Sequence, residues 1–79
     1  MRVSLYNAVA ANNREQIMQD VQWSSDRLAI RPTLKLFEDL IYAFTHLNDH
    51  ESQCSVIRLG LSMYPVNKPL KELNQSCVS

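Results

Sequence analysis

One glycine and three prolines are too few for the tight turns that many short strands require, so the sequence points away from an all-β fold before any periodicity is read. A surplus of one charge is also missing. Eight Lys and Arg balance eight Asp and Glu, giving a formal net charge of zero. Nucleic-acid binders usually show a basic surplus, because phosphate contacts supply much of their affinity. Here the basic residues are scattered, most of them near acids. No run approaches the roughly 20 apolar residues of a membrane span, and the amino end lacks the apolar stretch of a signal peptide. The expectation is therefore cytoplasmic residence without membrane association. Cys54 and Cys77 are the two cysteines. They are fewer and farther apart than a disulfide framework needs, so both are expected as free thiols, with Cys54 a small core residue.

Signatures of catalysis are absent as well. There is no glycine-rich phosphate loop, no nucleophile elbow and no Walker-type lysine. Asp20, Asp26, Glu38, Asp39, Asp49 and Glu51 supply carboxylates, but a catalytic pair needs a cleft that shifts its ionisation, and a chain of 79 residues has little room for one. Asp49, His50 and Ser52 are neighbours along a helix start, which does not build a triad. His46, His50 and Cys54 would align as soft metal ligands on one continuous helix. Asn48-Asp49 breaks that helix, Cys77 is distant in sequence, and a closed zinc site wants four ligands. No enzyme activity, no cofactor and no metal are expected.

What the sequence does contain is helical periodicity. Leu5, Ala8 and Val9 recur at helical spacing before Asn12-Asn13. Asn13 with Gln16 reads as a capping pair opening a second helix along Ile17, Val21 and Leu28. Ser24-Ser25-Asp26 weakens that helix, and Arg31-Pro32 ends it. From Thr33 to Leu47, the residues Leu36, Phe37, Leu40, Ile41, Phe44 and Leu47 make a broad helical stripe. Asn48 with Glu51 reads as a second capping pair, and the helix it opens runs to about Tyr64. That fourth helix carries two stripes: Ile57, Leu61 and Tyr64, and separately Val56, Leu59 and Met63. A helix apolar on two sides must be covered on two sides. Asn67 and Pro69 then open a short helix through Leu70 and Leu73. The chain is thus one all-α domain over residues 1–79: a first helix pair at 1–31, a second at 33–65, a short helix at 67–75, and a frayed tail.

An offset of thirty-six residues places Asn12 on Asn48, Asn13 on Asp49, Glu15 on Glu51 and Val21 on Ile57. Self-similarity at this period suggests stacked antiparallel helix pairs, with an irregular small helical bundle as the alternative. Residues 34–67 resemble a tetratricopeptide repeat, with Phe37, Leu40 and Phe44 in the first helix and Ile57, Gly60 and Pro65 in register after it. Ile41 and Gln53 depart from the family's small residues at close helix contacts. The resemblance implies a short solenoid whose first helices line a groove, at Lys35, Glu38, Tyr42, Thr45 and His46, with Arg2, Tyr6 and Val9 from the earlier pair. It further implies a non-catalytic module, an adaptor or small chaperone for a partner protein or a second copy. The family's carboxylate-clamp residues are replaced by Glu38 and Tyr42, which puts recognition of a C-terminal carboxylate in doubt. The Val56, Leu59 and Met63 stripe is a second candidate surface. The competing function is a helix-turn-helix-like DNA-binding regulator reading bases with Arg14, Gln16, Gln19 and Gln22, opposed by Glu15 and Asp20.

Overall fold

The computed structural model describes residues 5–77, and Arg2 lies outside them. Five helices follow one another, α1 (Leu5–Ala10), α2 (Arg14–Ile30), α3 (Leu34–His46), α4 (His50–Met63) and α5 (Lys68–Gln75), with no strand among the described residues. The protein is an all-α helical bundle.

The two polar breaks are built alike. Asn12 and Asn48 both adopt the left-handed conformation, at φ 53° and 57°. Asparagine tolerates that conformation better than other side-chain-bearing residues, and it suits the position just past a helix end. The Asn13 N–H donates to the Ala8 carbonyl and the Asn12 N–H to that of Val9. In the second break the Asp49 N–H donates to Phe44 and the Asn48 N–H to Thr45. Both pairs satisfy the orphan carbonyls of the outgoing helix in the Schellman pattern. The second residue of each break also caps the next helix. Asn13 Oδ1 accepts from the Gln16 N–H and Asp49 Oδ1 from the Ser52 N–H, both at 3.1 Å. The capping partner of the second break is thus Asp49 with Ser52, one residue later than the Asn48–Glu51 pair expected. Connections this short fold consecutive helices back on each other.

The other two breaks rely on proline. Arg31 ends α2 before Pro32, and Thr33 Oγ1 accepts from the Leu36 N–H to open α3. Tyr64 ends α4 before Pro65, and Asn67 Oδ1 accepts from the Leu70 N–H to open α5, with Pro69 in its first turn where no N–H partner is needed.

Helix α3 lies at the centre. Its Leu40 and Ala43, with Leu47 at its C-cap, join Leu5 and Ala8 of α1 and Ile17 and Val21 of α2 in one buried cluster. Its Ile41 joins Ile57 of α4 and Leu70 of α5 in a second, with Val56 packed against both. Phe37 is fully enclosed and meets Tyr64 edge-on, with ring centroids 6.1 Å apart. Gly60 sits buried at this junction. A β-carbon there would stand 3.1 Å from the Leu70 side chain and 3.4 Å from Phe37, so the missing side chain lets α3, α4 and α5 converge.

Helix α2 runs through the weak Ser24-Ser25-Asp26 stretch and ends at Ile30, before Arg31-Pro32, as expected; Ser24 is buried on the stripe of Ile17 and Val21, and burial outweighs weak propensity. Two expectations change. Asp20, expected to face outward, is 1% exposed. Cys54 and Cys77 are not free thiols: they form a disulfide, with Cα atoms 5.6 Å apart, that ties the residue after the α5 cap to α4. The tail is therefore anchored as far as Cys77. Sequence distance concealed the pair, since α5 had to fold back along α4 before the two sulfurs could meet.

Candidate functional site: a groove between the third and fifth helices

Two features on adjoining parts of the surface form the site. The first is a polar and aromatic strip where α1 meets α3. Lys35 and Asp39 lie one turn apart on α3, and the Lys35 ammonium donates to Asp39 Oδ1 and to the Tyr6 hydroxyl, each at 2.9 Å. The Tyr6 hydroxyl in turn donates to Asp39 Oδ1 at 3.3 Å. These bonds, first the one to Tyr6 and then the one to Asp39, raise the Lys35 pKa above the ordinary lysine value. Tyr6 stacks at a tilt on Tyr42, centroids 5.1 Å apart, and Tyr42 leans on His46 at 4.7 Å. Tyr6 is 49% exposed, so the strip presents aromatic face to solvent while the Tyr6 hydroxyl is held by Lys35 and Asp39.

The second feature is an open groove of about 290 Å³ between α3 and α5. Leu34, Glu38, Ile41, Tyr42 and Thr45 form one wall. Asn67, Pro69, Leu70 and Leu73 form the other. Tyr42 belongs to both features and joins them. The Thr45 hydroxyl is already engaged, donating to the Ile41 carbonyl at 2.7 Å and accepting from Gln53 Nε2 at 2.8 Å. The groove therefore offers hydrocarbon with a sparse polar rim.

The expected groove residues divide. Glu38, Tyr42 and Thr45 line the groove, while Tyr6, Lys35 and His46 extend it along the strip. Val9 is half-buried against the first core cluster and belongs to packing. Of the second stripe, Val56 is half-buried between the two cores, whereas Leu59 and Met63 are 50% and 45% exposed. None of the three lines the groove, so that stripe is a separate surface. The α5 wall went unread. Its signal was present in Asn67-Lys68-Pro69-Leu70, a capped helix start followed by Leu73 on the same face. What was missing was any way to tell that this helix stands opposite Ile41 and Tyr42.

Residues with ligand chemistry converge elsewhere. His46 and His50 are separated by the α3–α4 turn, as expected. His50, Cys54 and Cys77 do come together, with one ligand atom from each lying within 4.8 Å of the others. Of the His46, His50 and Cys54 set that spacing aligns, the fold keeps His50 and Cys54 together, leaves His46 across the turn, and brings in Cys77, which is distant in sequence.

On the α2 surface Arg14, Gln19 and Gln22 are exposed, and Gln22 Nε2 donates to Asp26 Oδ1 at 2.9 Å. Among the described residues no helix is long and apolar enough to cross a membrane. Compared with known proteins, the chain matches no family model, no curated protein and no solved structure.

Proposed function

We propose that the chain is a non-catalytic protein-interaction module, an adaptor or small chaperone of the stacked helix-pair kind, that holds an amphipathic helix of a partner protein in the α3–α5 groove. The observation that carries this reading is the apolar groove adjoining the exposed Tyr6–Tyr42 strip. An extended peptide brings unpaired N–H and C=O groups that a groove must satisfy. This groove has few free polar groups, whereas a helix satisfies its own backbone and needs only an apolar seat for its i, i+3 and i+4 anchors. Lys35 and Glu38 at the margin then select the charge of the flanking residues. The repetition of the Asn12-Asn13 turn at Asn48-Asp49 supports the helix-pair part of the reading. The Cys54–Cys77 bond weighs against the cytoplasmic residence expected from the sequence, because disulfides persist mainly in oxidising compartments.

Nothing in the structure favours the DNA-binding alternative. The candidate reading face of α2 mixes Arg14 with exposed Glu15 and Asp26, and the latter already holds Gln22.

The test is selection from a displayed library of amphipathic helical peptides, followed by affinity measurement on variants. Peptides enriched on the wild-type chain should lose about tenfold or more in affinity for Tyr42→Ala and for Leu73→Asp, a loss of at least ~1.4 kcal/mol. Helicity should be unchanged in both variants. An equal loss of binding and helicity for Tyr42→Ala would make that ring a core residue. Enrichment of peptides indifferent to both substitutions would move the interface to another face, such as Leu59 and Met63.

A further inference from the structure

At the seam between the start of α4 and the end of α5 stand His50, at the first position of α4, Cys54 one turn later, and Cys77 just past α5. His50 Nε2 is 3.4 Å from Cys54 Sγ. A tetrahedral zinc ion with bonds of about 2.0–2.3 Å keeps its ligand atoms roughly 3.3–3.8 Å apart. The His50–Cys54 edge already has that length. The Cα atoms of the two cysteines are 5.6 Å apart. Side-chain rotation alone can part their sulfurs to accept an ion between them.

We propose that the reduced chain binds one zinc-class divalent cation through His50 Nε2, Cys54 Sγ and Cys77 Sγ, with water in the fourth position, and that the disulfide is the oxidised, metal-free form of the same site. The donor set of one imidazole and two thiolates selects zinc over magnesium or calcium, which prefer oxygen ligands. Three protein ligands with one open position is a known zinc arrangement. Binding releases the two thiol protons, so it strengthens as pH rises. Oxidation takes two electrons from the two thiolates. A low-molecular-weight disulfide accepts them with two protons and leaves as two thiols, the Cys54–Cys77 bond forms, and the cation departs. Either form ties Cys77 to α4. In a reducing compartment the metal takes over the clasp that the disulfide makes in an oxidising one.

Cobalt(II) titration of the full chain tests this. Reduction with a water-soluble phosphine converts the disulfide to two thiols, the phosphine taking oxygen from water as it becomes the phosphine oxide. The reduced chain should then take up one cobalt per molecule, with tetrahedral visible absorption and a thiolate-to-cobalt charge-transfer band. One equivalent of zinc should bleach both, and the unreduced chain should show neither. Cys77→Ser and His50→Ala should each lose stoichiometric binding. His50 is exposed, so its variant keeps the fold that the measurement needs. Circular dichroism is recorded alongside. A reduced wild-type chain that shows no charge-transfer band overturns the proposal, whether it stays helical or unfolds and is not restored by cobalt. So does undiminished binding by either variant.

Discussion

The two halves of the bundle are closed by the same turn and held by different means. Asn12-Asn13 and Asn48-Asp49 share a left-handed first residue, the same two carbonyl contacts and the same capping geometry. The first pair then rests on a cluster of seven buried residues shared by α1, α2 and α3. In the second, three buried residues, an enclosed Phe37 and a convergence at Gly60 are supplemented by a covalent tie. The difference shows that turn chemistry is local and repeats wherever its residues repeat. What seals a helix pair depends on how much apolar surface its third neighbour supplies. Helix α5 has eight residues and contributes one fully buried side chain, Leu70, so a cross-link there has the most to add.

The largest expected effect separates the halves by their cores. Phe37→Ala should cost about 3–5 kcal/mol and Leu40→Ala about 2–5 kcal/mol. Hydrogen exchange should show the first loosening α4 and α5 and the second loosening α1 and α2. Identical exchange profiles would mean one undivided core. Next comes the covalent tie. Cys77→Ser in metal-free buffer should cost about 3 kcal/mol by the loop-closure estimate for a separation of 23 residues. The loss of protection should centre on α5 and leave α1 and α2 near wild type, as read by denaturant melts with exchange; a uniform loss would break the contrast.

Smaller effects probe the shared turn. Asn12→Ala and Asn48→Ala each place a β-branch-free but non-polar side chain at positive φ and should cost about 1–2 kcal/mol, equal within error in chemical melts. A clear inequality would show that the second turn is set by its surroundings and not by its own residues. The smallest effect is a difference in acid. The Ser52 hydroxyl, then its backbone N–H, hold the Asp49 carboxylate below its ordinary pKa. Its folded pKa is depressed, so its contribution is present above the ordinary carboxylate range near ~3.9 and is lost as pH falls through the lower folded value. Asn13 cannot titrate. Thermal melts from about pH 6 down to about pH 2 should therefore show a small acid-limb loss that Asp49→Asn removes, while Asn13→Asp adds a similar one in the first turn.

Much of the helical plan was readable without coordinates. Thr33, Asn13 and Asn67 act as caps where expected, and Pro32 and Pro65 lie beyond helix ends as the backbone demands. The stripe of α3 is buried at Phe37, Leu40 and Ile41. Half of the candidate groove was legible too, because Glu38, Tyr42 and Thr45 sit on one face of a strongly periodic helix. The other half was not. Leu70 and Leu73 announce an amphipathic turn but not the helix they will face. Asp20 looks like a surface charge by type alone, and Cys77 looks like a tail residue by position alone. Each of these depends on a neighbour far away in sequence, which no local pattern encodes.

Short-range physics, then, was enough to set the number of helices, where each begins and stops to within about a residue or two, and the doubling of the Asn-led turn, since hydrogen bonds within four or five residues decide all three. Only the packed molecule decided that α5 stands across from α3 to open a groove, that Tyr6 reaches Lys35 and Asp39, and that His50, Cys54 and Cys77 share one corner. Those outcomes follow from how whole helices minimise exposed hydrocarbon together, and that optimum belongs to the assembled chain and to no single segment of it.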